Sequence, residues 1–297
     1  MLENTMEEKD PSSRRSEVSE AGMHLIHVHG FSEPRAVSIY TEAYLATLKP
    51  LIGGIVIEEF KWGTETSPTK LAQGYAEDVR RTTEVAGLLA AKFEKIGGPL
   101  ILSGFSLGGA VVLKCLKKLK SPEYLSGVVI LGAAIEADFS PPPFRQNKSC
   151  LRLNYFSSVY DLTLRLGHYN ATGKNAAGTQ GLTHPNGFQN LETRCSHTSQ
   201  NPLAESAYVR LIPAISTLIA WHHGIRRHGV AHKPWQGPIA IGKGNDWDDI
   251  YRLDGHIIQQ HWWSRKYRAI EDGSVHREIC WSDDLWPVLD WVEKVSQ

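Results

Sequence analysis

Apolar residues fall in short runs along this chain, and the runs alternate with longer stretches of helical period. Met23-His24-Leu25-Ile26-His27-Val28 reads as a strand that ends in the turn His29-Gly30-Phe31. Ala36, Ile39, Tyr40, Ala43, Tyr44 and Leu48 predict a helix over 36–49, and residues 55–60 predict a second strand. Leu71, Tyr75, Val79, Val85, Leu88, Leu89 and Phe93 recur near helical spacing over 69–96. The run 99–102 is a strand, and 110–116 has a helical pattern. The continuous apolar run 128–134 fits a sheet covered on both faces. Residues 151–156 form another predicted strand. Residues 167–190, rich in Gly, Asn, Thr and Pro, read as loop, and 191–195 as a brief last strand. Strands alternating with helices predict a mostly parallel α/β sheet flanked by helices, with ligand chemistry at the carboxyl ends of the strands.

The pattern changes beyond about residue 230, where Trp235, Trp247, Trp262, Trp263, Trp281, Trp286 and Trp291 fall close together. Residues 235–243 and 275–280 read as strands, 256–270 alternates with period two, and 283–295 reads as a terminal helix. This predicts a small Trp-rich α+β appendage over 231–297, packed on the main sheet, closing over a site or meeting a partner. Residues 1–22 are polar and mixed in charge and read as a disordered tail. The expected division is therefore 1–22, 23–230 and 231–297.

Composition narrows the function. The 32 basic and 32 acidic residues cancel, so no basic surplus points to nucleic acid or an anionic membrane. No apolar run is long enough to span a bilayer, and the N-terminal stretch lacks a signal-peptide core, so a cytoplasmic location is expected. The cysteines, Cys115, Cys150, Cys195 and Cys280, show no metal-ligand spacing and read as free thiols. Asp246, Asp248, Asp249 and Asp254 do not make a calcium loop pattern. Neither a metal nor an organic cofactor is expected.

The candidate chemistry lies in Gly104-Phe105-Ser106-Leu107-Gly108-Gly109, between the strand at 99–102 and the helix at 110–116. Strand, sharp turn and helix with a serine at the tip are the context of a nucleophile elbow. The serine must adopt a strained backbone angle, and glycines two residues before and after keep neighbouring groups from colliding. A serine hydroxyl also needs a base to take its proton and a third group to orient that base. Asp161 and His197 follow in chain order, each at the carboxyl end of a predicted strand.

Over about residues 23–220 the chain resembles the α/β-hydrolase superfamily, on His29-Gly30-Phe31, the elbow at 104–109, Asp161 and a late histidine. The resemblance implies Ser106 as nucleophile, His197 as general base and acid, and Asp161 as the orienting carboxylate. It implies an oxyanion hole from the backbone N–H groups of Leu107 and Phe31. His29, Gly30 and Tyr160 are expected beside the substrate, His29 being either structural or substrate-facing. Asp138 and Glu136 compete for the acid, because they follow the strand after the elbow. His184 and His256 compete for the base. An N-cap role competes with catalysis at Asp161. The short gap between 134 and 151 leaves little room for an inserted cap, which predicts an open cleft near Tyr155, Tyr160 or Phe31. The function implied is hydrolysis of a carboxylic ester of a lipid or small molecule; a binding protein or an acyltransferase on the same fold are the alternatives.

Overall fold

Six strands lie side by side, all parallel, and their order places the site. They are β1 (His24–Val28), β2 (Val56–Phe60), β3 (Leu100–Phe105), β4 (Leu125–Leu131), β5 (Leu151–Phe156) and β6 (Gln189–Glu192), arranged β2-β1-β3-β4-β5-β6. In this computed structural model the described residues are 22–31, 38–63, 71–143, 150–193, 195–197 and 206–223, with the backbone of four strands between 247 and 280.

From β1 the chain steps outward to β2, then returns across β1 to β3 and continues to β4 and β5. With right-handed crossovers, reversing direction places successive helices on opposite faces. Accordingly α1 (Ile39–Thr47) covers one face, while α2 (Leu71–Ile96) and α3 (Leu107–Leu116) cover the other. A later helix, α4 (Ile212–His222), joins α1. Alternate strand residues supply the two cores: Leu25, Ile101, Val129 and Leu153 meet α1 and α4, and Ile26, Leu102, Val128 and Ile130 meet α2 and α3. The two-sided burial explains why β3 is buried along its whole length and reads as an unbroken run. The reversal between β1 and β3 opens a crevice beyond their carboxyl ends, where ligands bind in open α/β sheets.

The elements match the sequence pattern most closely at the sheet centre. The strand expected at 128–134 starts earlier, at Leu125, and ends at Leu131, because Gly132 turns the backbone to φ +53°. The loop expected over 167–190 contains the end of a π-helical turn (Thr163–His168) and short helices at Tyr169–Thr172 and Ala177–Gln180. The last strand expected at 191–195 is two pieces, β6 and β7 (Cys195–Ser196), and β7 pairs instead with β8 (Ser206–Ala207). In the C-terminal region β9 (Trp247–Leu253), unanticipated from the sequence, β10 (His256–His261), β11 (Lys266–Glu271) and β12 (Ser274–Cys280) form an antiparallel sheet in chain order. The period-two stretch 256–270 thus holds two strands. The tail over 1–21, the strand expected at 235–243 and the helix at 283–295 lie outside the described residues.

One buried polar chain crosses the first core. The His27 ring, fully buried, stacks on Tyr40, and its Nδ1 lies 3.1 Å from Ser103 Oγ, which lies 3.1 Å from the Tyr44 hydroxyl. Burial, and then the nearby His29, push the His27 pKa down to about 3. The unfolded chain therefore binds a proton that the folded chain refuses. This contribution to stability is complete above about pH 6.5 and is lost as pH falls toward 3, at up to about 1.4 kcal/mol per pH unit. His29 and His168, also lowered by burial, add to the same slope. Urea unfolding at a series of pH values should show stability falling steeply below pH 6.5, and His27→Gln should flatten that slope by about one proton. An unchanged slope in the variant would refute the assignment.

Candidate active site

Ser106 stands at the end of β3 with φ 55° and ψ −123°, one of two non-glycine residues with positive φ among those described. Such a backbone is held only when its surroundings over-determine it. Its N–H donates to the Leu131 carbonyl at the end of β4 (3.0 Å). Its carbonyl accepts from Gly109 (3.0 Å) and Ala110 (3.3 Å) of α3, and from Ala134 beyond β4 (3.0 Å). The flanking glycines are required by contact. A Cβ on Gly104 would lie 2.6 Å from the Gly108 carbonyl oxygen, and one on Gly108 only 2.0 Å from the Val28 carbonyl oxygen of β1. The elbow is therefore jammed against β1, which brings it beside the turn at Gly30.

The structure brings Ser106, His197 and Asp161 together from three separate strand ends. His197 Nε2 lies 2.7 Å from Ser106 Oγ, and His197 Nδ1 lies 2.9 Å from Asp161 Oδ2. The other Asp161 oxygen accepts the Leu164 N–H at 3.0 Å, so the carboxylate caps a helical turn and meets the imidazole at once. The N-cap role weighed for this residue is present, and it leaves the second oxygen for His197. Asp161 is buried, and Phe105 packs against the His197 ring at 4.6 Å. With Nδ1–H donating to the carboxylate, Nε2 is left as an acceptor for the serine proton, the arrangement that activates a hydroxyl.

The first residue of α3 and the turn that carries Phe31 both lie beside Ser106. Leu107 is the first residue of α3, where N–H groups lack intrahelical acceptors and the helix dipole is positive. The turn after β1 lies against the elbow: a Cβ on Gly30 would be 3.1 Å from Ser106 Cβ. Phe31 follows on this turn, its ring edge-on to Tyr75 at 5.5 Å.

His29 has a place of its own. Both ring nitrogens are engaged within the protein: Nδ1–H donates to the Gly30 carbonyl (2.7 Å), and Nε2 accepts the Trp62 N–H (3.1 Å). The Trp62 indole N–H donates in turn to the His29 carbonyl at 3.1 Å. Burial pushes the His29 pKa down, partly opposed by the Gly30 carbonyl. The ring holds the Gly30-Phe31 turn in shape and has no nitrogen free for a substrate.

Among the alternatives, Asp138 is exposed and faces Lys174 at 3.7 Å, and His184 is exposed. Glu136 is half-buried, with its backbone bridged to Ala176, and its charge acts on Lys114 and His168. The His256 side chain lies outside the described residues. Tyr160 is half-buried beside Asp161, whereas Tyr155, expected near the cleft, is buried in the core. Ser106 itself is recessed, at 4% exposure. Among the described residues no cluster of His, Cys, Asp or Glu is arranged to hold a metal, and no helix is long and apolar enough to cross a membrane. Cys115, Cys150 and Cys195 are buried, and none of the three is in a disulfide.

Sequence pattern gave no sign of Tyr208, Trp62, Tyr75 or His168 at this site. Tyr208 is fully buried, edge-on to the His197 ring at 6.5 Å. Burial, then the neighbouring Asp161 charge, push its phenol far above the ordinary range. Tyr75 reaches His168 Nδ1 with its hydroxyl at 3.2 Å.

The parallel sheet, the strained serine turn after β3, and Asp161 and His197 set on later strand ends make an α/β-hydrolase-type architecture. No family model and no curated protein matches the chain. Among solved structures it is similar to a cutinase-like protein from Cryptococcus sp. (15% identity, 68% of this chain and 93% of that one, TM-score 0.33). It is also similar to the catalytic core domain of acetyl xylan esterase from Trichoderma reesei (10% identity, 68% and 98%, TM-score 0.42). A type II thioesterase of yersiniabactin biosynthesis is comparable (15% identity, 69% and 94%, TM-score 0.39). At these TM-scores no functional weight rests on the likenesses.

Because the Gly108 position meets two backbone carbonyls of β1, a methyl group there cannot be absorbed by a side-chain shift. Gly108→Ala should cost about 3 kcal/mol or more in urea unfolding. Gly53→Ala, where a Cβ meets nothing within 4 Å, should change stability by less than about 1 kcal/mol.

Proposed function

We propose that this protein is a serine hydrolase that cleaves a carboxylic ester through an acyl-enzyme on Ser106. The observation that carries the reading is the unbroken hydrogen-bond path from Ser106 Oγ through both nitrogens of His197 to Asp161. In this reading Oγ attacks the ester carbonyl carbon while His197 Nε2 takes its proton. The carbonyl oxygen gains the negative charge and receives the N–H groups of Leu107 and Phe31. Each such donor contributes about 3 kcal/mol to the transition state. The tetrahedral species collapses, the alcohol leaves with the proton from His197, and the acyl group stays on Ser106. Water then attacks the acyl carbon, His197 takes a proton from it, and the carboxylic acid is released as Oγ regains its hydrogen. Asp161 stays ionised, holding the ring tautomer and balancing the imidazolium.

The apolar character of the substrate is supported by the segment that carries the acid. Val159, Leu162, Leu166 and Tyr169 leave large apolar surfaces exposed on either side of Asp161. Such surface on the segment that carries Asp161 suits an ester with an apolar acyl or alcohol part.

Purified protein should hydrolyse p-nitrophenyl butyrate and take up a fluorophosphonate probe on the peptide containing Ser106. Ser106→Ala should lose both, with turnover down by at least about 10⁴-fold, and Asp161→Asn should lose about 10³- to 10⁴-fold in kcat. Undiminished labelling of the Ser106→Ala protein would refute the reading.

A further inference from the structure

Resting on that reading, we infer that Tyr208 is a positioning residue for the acid–base pair, its hydroxyl steadying the Asp161 carboxylate while its ring walls the His197 imidazole. The parallel pairing of β7 with β8 matches Cys195 to Ser206 and Ser196 to Ala207. The next residue on each strand is His197 and Tyr208, so one short ladder delivers both rings to the same point. Their rings meet edge to face, and Tyr208 also packs on Phe105, which itself lies against His197. Gly132 fixes the far side. A Cβ there would meet Tyr208 Cε2 at 2.7 Å and Asp161 Oδ2 at 3.3 Å, so the phenol and the carboxylate share one wall.

A fully buried hydroxyl must donate to something. The Tyr208 hydroxyl lies 3.4 Å from the Gly178 carbonyl, and the Asp161 carboxylate stands beside it at the Gly132 wall as the second acceptor within its reach. Gly178 is itself tied to the site, since its N–H donates to the Ala133 carbonyl (2.8 Å) just past the elbow's β4 anchor. The Asp161 oxygens thereby meet the Leu164 N–H, the His197 Nδ1–H and the phenol. The other titratable groups facing this cluster are Tyr75 toward Asp161, and Cys195 and Tyr40 toward Tyr208. Burial, then the Asp161 charge, push the Tyr75 phenol well above its ordinary range.

A donor on Asp161 draws off negative charge that would otherwise hold the imidazolium. Tyr208→Phe should lower kcat on p-nitrophenyl butyrate about tenfold with KM within about twofold, and move the acid limb of kcat/KM up by about half a pH unit. A fluorinated tyrosine at 208, isosteric and a stronger donor, should move that limb the opposite way, and it serves where the Phe variant does not fold. The downfield imidazole Nδ1–H proton resonance should shift in both. Superposable pH profiles and an unmoved resonance would overturn the inference. If Ser106→Ala abolishes activity while both Tyr208 replacements behave as wild type, only this inference falls. If Ser106→Ala retains probe labelling, the hydrolase reading itself falls.

Discussion

The site depends on one constraint: a serine peptide held at a positive φ by hydrogen bonds to two different elements. The Ser106 N–H is taken by Leu131 of β4, and its carbonyl by both α3 and Ala134. Neither bond set alone would hold the strained turn, because α3 could unwind by a residue or β4 could slip. Together they fix where the hydroxyl points and where the N-terminus of α3 begins. The glycines then follow from contact rather than from flexibility, since Gly108 lies where even a methyl group would meet the β1 backbone. That contact sets the distance between elbow and Gly30 turn, and so the width of the space in which a carbonyl oxygen would sit.

Asp161 and His197 are anchored by the same economy. Asp161 uses one oxygen to cap the turn that follows it and the other to hold His197. A capping carboxylate is already ordered before it meets the imidazole, so little rotamer freedom remains to be lost in the pairing. The π-helical turn at Thr163–His168 begins two residues later and returns His168 to Tyr75, whose ring meets Phe31. Through those contacts the loop carrying the acid and the turn beside the nucleophile are packed against each other, so neither can shift alone.

What could be read from the sequence was whatever local chemistry dictates. The elbow was legible because its glycines answer clashes within a few residues of Ser106. The parallel sheet was legible because strands covered on both faces must be continuously apolar. Asp161 and His197 could be located through chain order and the ends of predicted strands, without any knowledge of their distance. Tyr208 was not legible, because its position comes from pairing β7 with β8 in parallel register, which no periodicity encodes. His29 was ambiguous for a related reason: whether its ring faced substrate or protein depended on Trp62, which is brought alongside by the β1–β2 pairing.

The histidines of the core show how one side-chain type is divided between structural and chemical work. His27 meets a serine hydroxyl and an aromatic face, His29 a backbone carbonyl and a backbone N–H, and His168 a phenol. Burial holds all three below their ordinary range, and the charges of Glu59 and Asp78 at His29 and of Glu136 at His168 oppose it only in part. Of these four rings only His197 hydrogen-bonds a carboxylate, and only His197 reaches the strained serine. What sets His197 apart from the other three is therefore its surroundings, a single buried carboxylate, rather than any property of the imidazole itself.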